Sequence, residues 1–172
     1  MSTPTVFISY NPGVHFEETL AIRLQTIGAV NGFRTFLPDR YYSSSTLEQE
    51  TKNRIRQSDY YVIFATKKLS GVVEEEIQFA FENIPSKQII IIYNTQNFHL
   101  EKGAHEQYTE IGFDPRYDTI DQIIQEVVHS LQSQESKKKQ NRAIENGVTA
   151  FLGIGLGLLA LGALESLFSK KD

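Results

Sequence analysis

Tyr60-Tyr61-Val62-Ile63-Phe64-Ala65, then Leu69-Ser70-Gly71-Val72-Val73-Glu74-Glu75-Glu76-Ile77-Gln78-Phe79-Ala80, then Gln88-Ile89-Ile90-Ile91-Ile92-Tyr93: these three stretches decide the fold. The first and third are continuous apolar runs rather than alternating ones, the pattern of central strands covered by helices on both faces. Between them the chain turns at Ser70 and opens a helix on three carboxylates. Successive helical side chains are about 100° apart, so Val73, Ile77, Ala80 and Ile84 form one apolar stripe and Glu75 points opposite, to solvent. Glu74 and Glu76 each sit roughly 80° from the stripe's centre, at a rim from which a side chain can lean into a cleft beside the sheet. Helical geometry does not choose between them. Acidic residues in a first turn also have a plainer explanation, since each offsets the helix dipole by ~0.3–1 kcal/mol.

Outward from this centre the alternation continues. Thr5-Val6-Phe7-Ile8-Ser9-Tyr10 reads as a buried strand stopped by Asn11-Pro12-Gly13. Phe16, Leu20, Leu24 and Ile27 mark an amphipathic helix that ends near Gly28. Phe33 to Leu37 reads as a second strand, closed by Pro38-Asp39, and a loop from Arg40 to Ser45 follows. Thr46 begins the next helix, in a capping box with Gln49, and Leu47, Thr51 and Ile55 give that helix a thin apolar face. Tyr108 to Phe113 fits a short edge strand. Ile120, Ile123, Ile124, Val127, Val128 and Leu131 keep the i, i+3, i+4 spacing of a long helix. Strands alternating with helices over about 130 residues argue a parallel, doubly wound sheet. Ligands in such folds bind beyond the carboxyl ends of the strands, here the loops Ser9 to Val14, Leu37 to Ser45, Thr66 to Gly71, and Asn94 onward.

Composition narrows the chemistry. The absence of cysteine excludes disulfides, thiolate catalysis and cysteine-ligated metals. His15, His99, His105 and His129 lack metal-ligand spacing. The formal charge of −4 is uneven: residues 134–172 hold six Lys/Arg and four Asp/Glu, which leaves 11 against 17 for residues 1–133. An acidic body is a poor partner for a phosphate backbone, so no nucleic acid is expected. Met-Ser-Thr-Pro-Thr has no charged or apolar leader pattern, so nothing in it suggests secretion. Asn11-Pro12-Gly13 also lacks the second and third glycines of a dinucleotide-binding loop.

Several ordered motifs resemble one family. Val6-Phe7-Ile8-Ser9-Tyr10 resembles the opening strand of Toll/interleukin receptor (TIR) domains, and Gly32-Phe33-Arg34-Thr35-Phe36-Leu37-Pro38-Asp39 resembles their second strand entering the BB loop. Ile55-Arg56-Gln57-Ser58-Asp59 is similar to their I-x-x-S-D passage, and Leu69 to Ile77 to their S-x-W-C-x-x-E-L, with Val72 and Val73 in place of the tryptophan and cysteine. The match covers roughly residues 4 to 132, and the chain looks most like the outlying bacterial TIR-like group that includes Thoeris antiphage proteins. The resemblance implies a flavodoxin-like, doubly wound parallel five-stranded sheet and an enzyme that cleaves NAD between ribose and nicotinamide. It places Glu76 at the catalytic glutamate. NAD is then substrate, with no cofactor. Ser9, Tyr10 and Asn11 would line the nicotinamide-ribose side, Ser70 would stand where the loop enters the glutamate helix, and Asp39 and Arg40 would lie in the BB loop, Arg40 placed to meet a phosphate. The leaving pyridinium already carries a positive charge, so one carboxylate near the ribose is chemically adequate.

After a basic polar linker, 134–146, Val148 to Leu164 is a run of 17 residues without charge, and Gly153 and Gly157 form G-x-x-x-G. Residues 147–168 are therefore read as an apolar helix that spans a membrane or joins copies of the chain, with the domain of residues 1–133 on the cytoplasmic face. Two functions stay open. One is an NAD-consuming immune enzyme, and the other is a non-catalytic TIR-like assembly module that acts through the tail.

Overall fold

The computed structural model describes residues 3–38, 47–96 and 108–153. Five strands, β1 (Thr5–Tyr10), β2 (Arg34–Phe36), β3 (Tyr60–Ala65), β4 (Ile89–Asn94) and β5 (Thr109–Phe113), form one sheet in the order β2-β1-β3-β4-β5. All four pairings are parallel. This is the flavodoxin-like α/β arrangement expected from the sequence, with the reversal of strand order between β1 and β3.

The helices are α1 (His15–Val30), α2 (Gln49–Arg56), α3 (Gly71–Asn83) and α4 (Ile120–Gly153). Alternate strand residues face opposite ways. Val6, Ile8, Tyr60, Val62, Phe64, Ile90 and Ile92 pack with Leu20 and Leu24 of α1 and with Ile123, Ile124, Val127, Val128 and Leu131 of α4. Phe7, Tyr61, Ile63, Ala65 and Ile89 pack on the other face with Ile55 of α2 and Val72, Val73, Ala80 and Ile84 beside α3. Every residue of β3 is buried, which is why its sequence shows no alternation.

Three boundaries differ from expectation. Helix α1 passes through Gly28 to Val30 and is capped by Asn31, whose side chain donates to the Ile27 carbonyl at 2.8 Å; the left-handed stop falls at Gly32, φ +83°. The second strand shortens to Arg34–Phe36, an edge element with one neighbour. Helix α2 starts at Gln49 with Glu48 as an N-cap that makes no side-chain cap bond, and Thr46 lies outside the described residues.

The chain divides into two compact units, Met1–Gln132 and Ser133–Asp172. In the second, the basic segment is helical and Lys139 pairs with Glu135 one turn earlier. Among the described residues no helix is long and apolar enough to cross a membrane, and the apolar run from Ile154 on lies outside them.

Candidate active site

Strand β1 delivers Ser9 and Tyr10 to the reversal point on opposite faces of the sheet, because neighbouring strand residues alternate. Ser9 faces α3 and is fully buried. Its Oγ donates a hydrogen bond to Oε2 of Glu76, also fully buried. Of the two rim candidates, Glu74 is exposed and Glu76 is the one turned inward to β1.

The buried face of α3 is Val72, Val73, Glu76 and Ala80, with Ile77 only half-buried. The helix is thus turned relative to the expected stripe, and Glu76 is enclosed rather than at a rim. A carboxylate tolerates this position because a hydroxyl on the facing strand supplies a hydrogen bond. Glu75 is exposed as expected, yet it is tied down: its carboxylate accepts the Leu47 main-chain N–H at 3.1 Å. A depression of about 200 Å³ lined by Leu47, Lys52, Glu75, Gln78, Phe79 and Glu82 lies on this outer side of α3, to which Glu75 contributes and Glu76 does not.

Asn11 is buried at the exit of β1, and protein groups engage both ends of its side chain. Its Nδ2 donates to Glu17, and its Oδ1 accepts the Ser70 N–H at 2.8 Å. Ser70 is the N-cap of α3 by backbone conformation, makes no side-chain cap bond, and its Oγ is buried with no hydrogen-bond partner among the described residues. The Ser70 hydroxyl therefore keeps unmet hydrogen-bonding capacity among the described residues. Tyr10 packs against the α1/α4 cluster, away from Ser9 and Glu76. Asp39 and Arg40 lie outside the described residues. The structure thus joins Ser9 to Glu76 and Asn11 to Ser70, and puts Tyr10 on the other face.

Sequence reading missed Glu17. It sits in the first turn of α1, fully buried, and accepts from Asn11 N (2.6 Å), Asn11 Nδ2 (3.0 Å), Thr66 N (2.8 Å) and Thr66 Oγ1 (2.7 Å). The available signal was its position three before Leu20 and seven before Leu24, on the helix's inner stripe. Farther along the same edge of the sheet, Asp114 follows β5. Hydrogen bonds from the Arg116 side chain and main chain hold its carboxyl down at about 2. Burial, helped by the Glu110 charge, pushes the Tyr108 hydroxyl up. Among the described residues no cluster of acids and histidines is arranged to hold a metal.

No protein-family model matches the chain, and no curated protein matches it in sequence. Solved structures do resemble it. The CMP N-glycosidase of Clostridium botulinum is 17% identical with a TM-score of 0.52, over 72% of this chain and 97% of that one. The flavodoxin-like domain of a Synechococcus protein is 14% identical with a TM-score of 0.50, over 77% of this chain and 99% of that one. At these identities the likeness is one of fold, and this chain has the flavodoxin-like α/β fold.

Proposed function

We propose that the protein breaks an N-glycosidic bond of a nucleotide, and specifically the nicotinamide–ribose bond of NAD, as the resemblance to TIR enzymes implies. The observation that carries the reading is the position of Glu76, bonded to Ser9 of β1 beside the reversal of strand order, where ligands of such folds bind. As the bond to nicotinamide lengthens, the electron pair leaves with the ring, which becomes neutral, and positive charge grows on the ribose. A carboxylate beside C1′ and the ribose hydroxyls stabilises that charge, and water completes the reaction to ADP-ribose with release of a proton. Similarity in fold to a CMP N-glycosidase is in keeping with ribosyl chemistry at this edge of the sheet. Attachment to the cytoplasmic face of a membrane through residues 147–168, and self-association through the domain and this helix, belong to the same proposal.

The test is incubation of the purified full-length protein with NAD, the products read by mass. Glu76→Gln keeps the shape and can still bond Ser9, so it removes the charge alone. We expect a loss of ~10²–10³ in turnover for Glu76→Gln and little change for Glu75→Gln. Equal losses in both, or turnover retained in a folded Glu76→Gln, refutes the assignment. The second reading, a non-catalytic assembly module, is favoured by one observation: Ser9 and Glu76 have no exposed surface, as a purely structural polar tie would have. It expects no NAD turnover and concentration-dependent self-association that Glu76→Gln leaves unchanged.

A further inference from the structure

A carboxylate on the buried stripe of a helix needs a reason, because burying it without partners costs several kcal/mol. Glu17 shares that stripe with Leu20, Ala21 and Leu24. Its two oxygens divide the main-chain donors between them: Oε2 takes the Asn11 N–H and Oε1 the Thr66 N–H. Asn11 and Thr66 are the first residues beyond the ends of β1 and β3, the adjacent strands between which the strand order reverses. Parallel pairing stops there, and Glu17 fastens the two exits after it stops.

The tie continues beyond Glu17. Asn11, oriented by its bonds to Glu17, accepts the Ser70 N–H and so fixes the N-cap of α3. Six residues on, Glu76 returns from α3 to β1 and accepts the Ser9 hydroxyl, two residues before Asn11. Ser9, Asn11, Ser70 and Glu76 therefore form a closed circuit, and Glu17 clamps its corner. We infer that Glu17 is a positioning residue that sets Glu76 against Ser9 by holding Asn11, and through it the start of α3. This rests on the reading of Glu76 as the group that acts on ribose. An amide does not replace Glu17: with one acceptor and one donor, glutamine meets either Asn11 N–H or Thr66 N–H with an N–H of its own.

The experiment compares wild type, Glu17→Gln and a core control, Ile124→Val in α4, all full length. The first readout is the slowly exchanging, downfield hydroxyl proton of Ser9 in the NMR spectrum, assigned by its loss in Ser9→Ala. The second is kcat and KM for NAD. Glu17→Gln is expected to lose the Ser9 signal and ~10²-fold in kcat with KM little changed, while Ile124→Val alters neither. If Glu17→Gln does not fold, Asn11→Ala, which cuts the branch to Ser70 and spares the Glu17–Thr66 tie, is read in the same way. The inference is overturned if the Ser9 signal persists in a folded Glu17→Gln, if kcat falls no further than in the control, or if wild type shows no such signal. Loss of the signal in a protein whose wild type turns over no NAD leaves the clamp standing and refutes the NAD reading instead.

Discussion

If Glu76 is kept for chemistry, removing it together with its partner should make the protein more stable. Both Glu76 and Ser9 are fully enclosed, and Val72, Val73 and Ala80 share Glu76's face of α3. Effective desolvation of a buried carboxylate costs several kcal/mol, and each hydrogen bond to it, the Ser9 bond among them, returns only ~1.5–3 kcal/mol. Ser9→Ala alone removes a donor from a buried charge and should destabilise by about that ~1.5–3 kcal/mol. Ser9→Ala with Glu76→Leu replaces this hydrogen-bonded pair by apolar groups, and leucine approximates the volume of glutamate. The double variant should equal or exceed wild type, by ~0–4 kcal/mol. The chain has no tryptophan, so urea unfolding is followed by circular dichroism and tyrosine fluorescence. With a slope on the order of 1–3 kcal/mol/M, a gain of ~2 kcal/mol moves the midpoint by about 1 M. A double variant as unstable as the sum of its two singles would show that Glu76 is retained for structure, and the catalytic argument would lose its physical motive.

Other expectations are narrower. In Gly112→Ala the new methyl would lie 2.9 Å from Thr95 Cγ2 and 3.1 Å from the Tyr93 ring, so the β4–β5 edge should lose ~1–3 kcal/mol; an unchanged Tm refutes the packing. Asp114 is held at about 2 against its ordinary 3.8, so its stabilisation is complete above pH ~4 and lost as pH falls through about 2. The stability gap between wild type and Asp114→Asn should therefore shrink over that window, and shrink further in salt; a gap independent of pH counts against the Arg116 contact. Leu158→Asp, near the middle of the apolar run, should cost ~2.5–3.5 kcal/mol of insertion and move the protein from the membrane to the soluble fraction. Wild type found in the soluble fraction as a defined oligomer refutes the anchor.

The sheet was legible because its strands are nearly uniform in environment. Tyr60–Ala65 is buried throughout and Ile89–Asn94 is buried or half-buried along its length, and a run of apolar residues with turn signals on either side has few other uses. Helix α4 was legible from spacing alone, since Ile123, Ile124, Val127, Val128 and Leu131 are the residues that meet the sheet. Ends were harder. Gly28 looked like a helix stop, but a glycine in a helix carries no stop signal unless its φ turns positive, and that happens at Gly32. Thr46 offered a capping box, yet the helix begins at Gln49 and its N-cap, Glu48, makes no side-chain cap bond; only Thr51 and Ile55 of it are buried, too few apolar positions for periodicity to mark its start.

The site was less legible for a single reason that recurs in two helices. In α1 the expected stripe began at Phe16 and in α3 it passed through Ile77; in the structure both of these are half-buried, and the neighbouring Glu17 and Glu76 are enclosed instead. Periodicity assigns a carboxylate to water, because it prices the side chain without its partners. The partners of Glu76 and Glu17 come partly from distant chain: Ser9 is 67 residues from Glu76, and Thr66 is 49 from Glu17. Both acids bond at the carboxyl ends of β1 and β3: Glu17 takes the main-chain N–H groups of Asn11 and Thr66, just past the ladder, and Glu76 takes the hydroxyl of Ser9, one residue inside its end. Among the described residues Glu17 and Glu76 are the two fully buried acids, and each lies in the first two turns of its helix. The two glutamates that broke the apolar pattern therefore locate the reversal of strand order, and with it the edge of the sheet at which a ligand is to be sought.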